Sequence, residues 1–287
     1  MRAMKNLLWH GHSVTLELMK LVTFSRAGAI PQAGVVEENK VIGLGADMLS
    51  VIASGKIQPD GPAYDLASVT LLAPIPRPPK LICVGLNYRD HAAETKLEIP
   101  KVPTIFCKFT NVVIGPGQPI VLPRVSSRVD YEAEFAFVIG TGGRSIPAAR
   151  AMEHVFGYTI ANDVSARDYQ MATSQWLMGK SFDTFAPIGP WIVTAADIAD
   201  PHSLGISLEI GGERLQDSNT RELIFKIPEL IEFISSVVTL EPGDIVLTGT
   251  PAGVGFARKP PRYLQSGDEV VIRIEGLGEL RNSVVAE

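Results

Sequence analysis

The chain has 287 residues, enough for one large or two small domains. An apolar fraction of 46% excludes extended disorder, and a net charge of −5 with no basic stretch argues against nucleic-acid binding. No apolar run approaches the ~20 residues of a membrane span, and the two cysteines, Cys83 and Cys107, match no metal spacing and read as buried, reduced thiols of a cytosolic protein.

In chain order, residues 1–18 are mildly apolar but broken by Lys5, His10, His12 and Glu17, and carry no small-residue cleavage site. They read as a poorly ordered extension and not as a signal peptide. Residues 19–79 read as a small N-terminal module with strands at 20–24 and 34–44, a short helix at 47–54, and a linker rich in proline (Pro74, Pro76, Pro78, Pro79). From 80 to 287 the pattern is mostly β. Strands are predicted at 81–86, 104–109, 131–139, 157–161, 190–193, 206–210, 244–247 and 269–274, with hairpin turns at Gly211-Gly212 and Gly276-Leu277-Gly278. Helices are predicted at 91–98, at 147–155 with Ser145 as cap, and at 228–238. In the last of these Ile227, Leu230, Ile231, Ile234, Val237 and Val238 form a core stripe. Strands outnumbering helices imply a mainly β, α+β fold with peripheral helices, and exclude a doubly wound or barrel α/β fold.

The chemistry concentrates in a few side chains. In Asp130-Tyr131-Glu132-Ala133-Glu134 the two glutamates lie two apart, hence on one face of a strand. They would repel each other if buried without a cation between them, and all-oxygen ligation favours Mg²⁺, Mn²⁺ or Ca²⁺ over zinc. The plainer alternative is a solvated strand edge, but the run from Tyr131 to Ile139 carries no other charge. Asp163 sits in a similarly apolar stretch, and Lys180 is flanked by Trp176-Leu177-Met178 and Phe182. Gly179-Lys180-Ser181 lacks the first glycine of a phosphate-binding loop, since position 174 is Ser. No Gly-x-Ser-x-Gly or His-Glu-x-x-His occurs. His91 and Glu94, three apart, can meet on one helical turn, where the carboxylate would orient the imidazole as a general base. Arg167 and Gln170, three apart on a helix capped by Ser165, can take a substrate carboxylate, with Lys108 as a further candidate; Thr250 lies in a tight loop, 248–255, suited to approach a ligand.

Five runs, in order, carry a resemblance: Val84 to Glu94 (Gly85-Leu86-Asn87-Tyr88 at its centre), Asp130 to Glu134, Asn162 to Asp168, Gly179 to Asp183, and Leu247 to Gly255. Across roughly residues 80 to 285 the chain resembles the fumarylacetoacetate hydrolase family in its small, two-part form. The resemblance implies a mixed β-sandwich roll, a Mg²⁺ or Mn²⁺ on Glu132, Glu134 and Asp163, a lysine at Lys180, a His–Glu pair at His91 and Glu94 on a helix that orders over ligand, a homodimer, and a first strand at 20–24 with Met19 near the natural start. It also implies β-diketo acid or enol substrates with a 2-oxo carboxylate end, whose enolate a metal and Lys180 would stabilise.

On that basis the expected activity is hydrolysis of a C–C bond in an acylpyruvate, with His91–Glu94 activating water and pyruvate enolate leaving. The alternatives are isomerisation of a 2-hydroxyhepta-2,4-diene-1,7-dioate, decarboxylation of oxaloacetate or a similar 2-oxo diacid, and, in a different class, an inactive metal-binding protein. Aromatic catabolism, sugar-acid breakdown and oxaloacetate removal all use such a site.

Overall fold

β-Branched and aromatic residues dominate the long runs of this chain, and they form two large sheets beside a small two-stranded one of Val129–Asp130 and Ser165–Ala166. A computed structural model describes residues 18–27 and 29–287; the extension expected at 1–18 falls, apart from Leu18, outside the described residues. The larger sheet has twelve strands. At its centre Ala133–Ile139 lies between Val155–Asn162 and Ile245–Leu247, antiparallel to both. Leu81–Gly85 follows, parallel to Ile245–Leu247, and Thr104–Cys107 closes that edge. On the other side Val155–Asn162 pairs with Ala186–Thr194, which pairs with Lys20–Ser25. The strands of the N-terminal module thus continue the sheet that carries the central ones.

The second sheet has five strands, with Gly205–Ile210 and Glu269–Ile274 in its middle, and packs on the face of the central strands. Every residue of Ala133–Ile139 is buried. Phe135 stacks on Tyr158 with centroids 5.3 Å apart, within the separation at which ring pairs add to simple burial. The fold is therefore mostly β, in mixed sheets, with few helices. No helix among the described residues is long and apolar enough to cross a membrane.

Five short α-helices flank the sheets: α1 (Met48–Ser54), α2 (Arg89–Thr95), α3 (Arg167–Gln170), α4 (Leu177–Lys180) and α5 (Ile227–Val237). Asp47 caps α1 by accepting from the Ser50 N–H at 3.0 Å. In α5 Ile227, Leu230, Ile231 and Ile234 are buried as the spacing predicts, but Val237 and Val238 are exposed because the helix ends there. Three sequence expectations are corrected. Residues 148–154 form a 3₁₀ helix, not an α-helix; its cap position is Pro147, which offers no side-chain acceptor, and Ser145 sits apart in a left-handed turn at φ 52°. Ser165 does not cap α3: the residue before the helix is Ala166, and the Ser165 hydroxyl donates to the Asp163 carbonyl. Cys83 is buried but Cys107 is exposed, because its strand is the last of the sheet and has no neighbour beyond it.

Candidate active site

The sheet register brings two distant acidic segments together. Ala133 is opposite Asn162, so Glu132 and Asp163 emerge side by side at one end of the paired strands Ala133–Ile139 and Val155–Asn162. The Asp163 N–H donates to the Glu132 carbonyl at 2.9 Å, and the Asn162 side-chain oxygen accepts from the Glu132 N–H at 3.0 Å. Glu134 lies two residues along. Its Oε2 accepts from the Gly249 N–H at 2.6 Å, an approach that requires Gly249 at φ +98°, where a side chain would be strained. Carboxylate oxygens of Glu132, Glu134 and Asp163 lie within 4.8 Å of one another, all buried.

Cations interleave with these acids. Gly179 lets α4 press against α3: a Cβ there would come within 2.3 Å of the Gln170 backbone nitrogen. That close approach delivers Lys180, whose Nζ donates to Glu132 Oε2 at 2.8 Å and Asp163 Oδ2 at 2.6 Å. Arg167 Nε donates to Asp130 Oδ2 at 2.8 Å and Nη1 to Gln170 Oε1 at 2.9 Å, while Nη2 lies 2.6 Å from Glu132 Oε1. The Phe256 ring covers the guanidinium at 4.5 Å. Lys108 donates to Asp163 Oδ1 and to the carbonyls of Val164 and Phe185.

Charge counting tests whether a metal fits. Asp130, Glu132, Glu134 and Asp163 face Lys108, Arg167 and Lys180, four acids against three cations, none more than 6% exposed. Among the described residues Glu134 alone of the four has no cationic partner. Burial, then the charges of Asp163 and Glu132, push its carboxyl well above the usual range. Against the same burial, Lys180 and Arg167 hold Glu132 down to about 2. Burial weakens the proton affinity of Lys108 in spite of Asp163, whereas the charges of Asp163 and Glu132 outweigh burial at Lys180 and raise it. An excess of buried carboxylate oxygen converging on one point fits a hard divalent cation.

Glu132, Glu134, Asp163, Arg167 and Lys180 line a cleft of about 170 Å³ that also takes in His91, Thr250, Trp176 and Phe256. His91 is on α2, its Nδ1 3.1 Å from Glu94 Oε2, and Glu94 Oε1 accepts from the Gly253 N–H at 2.9 Å. The helix is docked further by Asp90, which accepts from the Ser218 hydroxyl. Thr250 Oγ1 accepts from Gln216 Nε2 at 2.8 Å, which leaves its own proton free for the cleft. Of the residues singled out in the sequence, His91, Glu132, Glu134, Asp163, Arg167, Gln170, Lys180 and Thr250 line this one space; Glu94 supports His91 from behind. Lys108 does not line it, since its ammonium is spent on Asp163 and two carbonyls, so it is not placed to bind a substrate carboxylate.

Sequence reasoning missed Asp130, Asn162, Gln216 and Phe256. Asp130 is fully buried and accepts from the N–H groups of Tyr131, Gly255 and Phe256 as well as from Arg167. Its place at the head of the acidic run was the available signal. The other three leave no mark in the sequence, because each acts through a partner more than twenty residues away.

The chain is similar to known proteins over most of its length. Residues 80–285 match the family described as fumarylacetoacetate (FAA) hydrolase C-terminal, and residues 19–74 the one described as Rv2993c-like, N-terminal. The chain is 53% identical over 226 residues to a mitochondrial oxaloacetate tautomerase of Bos taurus, covering 78% of this chain and 72% of that protein. The Homo sapiens counterpart is 51% identical over the same length and shares. Among solved structures, a 2-hydroxyhepta-2,4-diene-1,7-dioate isomerase from Mycobacterium marinum superposes with a TM-score of 0.81 at 38% identity, covering 94% of this chain and 99% of that one. The cytosolic location expected from the cysteines is overturned by the mitochondrial location of those relatives. Two unpaired thiols argue only against a disulfide-rich secreted chain and do not separate one reducing compartment from another.

Proposed function

The chain belongs to the fumarylacetoacetate hydrolase family, and from that premise we propose that it is an isomerase that moves a proton between carbon and oxygen of a small 2-oxo acid, interconverting the keto and enol forms of oxaloacetate. The observation that carries this reading is the placing of Lys180 between Glu132 and Asp163, in a cleft of about 170 Å³ that also holds His91. That volume lies below the ~300–1,000 Å³ of drug-sized ligand sites and suits a small organic acid.

Glu132, Glu134 and Asp163 would hold a divalent cation, which would supply Lewis-acid polarisation of the 2-oxo group. Glu94 accepts the Nδ1 proton of His91, so the imidazole presents its Nε2 lone pair as the base that takes the proton from C3. Lys180 sets a fixed positive charge where the enolate oxygen forms. Arg167, held by Asp130, Gln170 and Glu132, keeps donors free for a substrate carboxylate, and Phe256 keeps water from the guanidinium. The proton then returns to the oxygen, so the substrate keeps every atom.

The C–C hydrolysis first expected rested on His91–Glu94 as a water activator. The same pair serves proton abstraction equally well, and the tautomerase and isomerase names of the relatives favour the alternative that needs no attacking water. A second reading, isomerisation of a hydroxydienoate, is favoured by the likeness to the Mycobacterium marinum enzyme and uses the same proton shift on a longer chain. The test is the decay of the enol absorbance of oxaloacetate with Mg²⁺-loaded protein. Wild type should accelerate it, and His91→Ala should lose about 10²–10⁴-fold. Release of acetate and pyruvate from acetylpyruvate, without acceleration of enol decay, would restore the hydrolase.

A further inference from the structure

The cleft changes character from floor to mouth. On the floor Glu132, Glu134, Asp163, Arg167 and Lys180 are at most 6% exposed. At the mouth Leu97 and Met171 are 57% and 63% exposed, with Phe106 and Trp176 half-buried. Trp176 meets Phe106 edge-on with centroids 5.4 Å apart, and its ring packs so closely on Gly85 that a Cβ there would lie 2.3 Å away. The apolar wall is thus fixed by a glycine, not left loose. Among the described residues no lysine or arginine other than Arg167 and Lys180 lines the cleft, and both lie on its floor, where Arg167 has donors left for a single substrate carboxylate.

A four-carbon dicarboxylate has no use for such a mouth. Its second carboxylate finds no cation there, while a ring or branched chain would bury its surface against Leu97, Met171, Phe106 and Trp176. We infer that this site also tautomerises 2-oxo monocarboxylates that carry an apolar, ring-sized group on C3, arylpyruvates being the fitting class. The inference rests on the tautomerase reading and extends its substrate range. The step balances: a C3–H bond breaks, its electron pair forms the C2–C3 double bond, the 2-oxo oxygen gains a proton, and the formula is unchanged.

The test measures kcat/KM for keto–enol conversion of phenylpyruvate and of oxaloacetate with Mg²⁺-loaded protein, for wild type, Met171→Lys and Leu97→Lys. Wild type should accelerate both. The phenylpyruvate-to-oxaloacetate ratio should fall at least about tenfold in each lysine variant, the scale of losing a methylene or more of apolar contact. A ratio is insensitive to partial misfolding. Turnover of oxaloacetate without any of phenylpyruvate would overturn the inference and leave the tautomerase reading intact. An unchanged ratio in both variants would equally overturn it, because the ring would then not sit at this mouth. Turnover of neither acid would remove both.

Discussion

Two regions of this molecule are dense in charge, and they obey different rules. On the five-stranded sheet Arg214, Arg273 and Arg281 alternate with Glu209, Asp217, Glu269 and Glu279 in a ladder of ion pairs. The three arginine side chains there are 41 to 53% exposed, so water and salt screen every pair. On the cleft floor the same residue types are sealed, with Lys180, Glu132 and Asp163 each at most 6% exposed. There each charge carries a desolvation cost of several kcal/mol, recovered only while its partners stay in place. The ladder is ordinary surface, whereas the floor, which places carboxylates against one another, is explained only by chemistry.

The comparison breaks most visibly at Lys180. Lys180→Met should cut oxaloacetate tautomerisation by about 10²–10³-fold. Without added metal it should also lower the unfolding free energy by about 3–5 kcal/mol, because Glu132 and Asp163 lose their common partner. Wild-type turnover in this variant would refute the electrostatic role. Next in size is metal linkage. Mg²⁺ or Mn²⁺ at 100 times its Kd should stabilise the wild type by about 2.7 kcal/mol in thermal unfolding. Glu134→Gln should lose most of that gain, and an equal gain in both proteins would remove the metal from this triad.

A smaller effect is the pH dependence of the metal-free protein. Burial raises the Glu134 carboxyl in the folded state above its usual 4.5. A raised carboxyl favours the fold below its unfolded value and ceases to do so as pH rises through the folded one. Glu134→Gln should therefore gain stability relative to wild type as pH climbs above 4.5, in paired urea titrations; a constant difference would contradict the shift. The smallest effect belongs to the ladder: Arg281→Ala should leave the urea midpoint and the turnover unchanged within measurement scatter.

Much of this was legible in the sequence, for definite reasons. Glu132, Glu134, Asp163 and Lys180 stand out because each interrupts an apolar run, and an isolated charge in such a run demands a partner. The strands and α5 were readable from periodicity. What escaped depends on long-range registry. Asp130 binds Arg167 from 37 residues away, and Gln216 reaches Thr250 across 34. Cys107 reads as core because its neighbours are apolar, yet its strand has no neighbour on one side. Arg167 and Gln170 were found for their spacing, but the supposed Ser165 cap turned inward to the Asp163 carbonyl. Hydrolase and isomerase were not separable, because His91–Glu94 is one piece of geometry that fits two reactions.

The most direct test of the account is an NMR time course of oxaloacetate in D₂O with Mg²⁺-loaded protein. Proton abstraction at C3 by His91 predicts catalysed exchange of the C3 protons for deuterium while the four-carbon skeleton persists, with exchange much slowed in His91→Ala. Pyruvate and CO₂ appearing as fast as deuterium enters, or exchange no faster than in buffer, would contradict it.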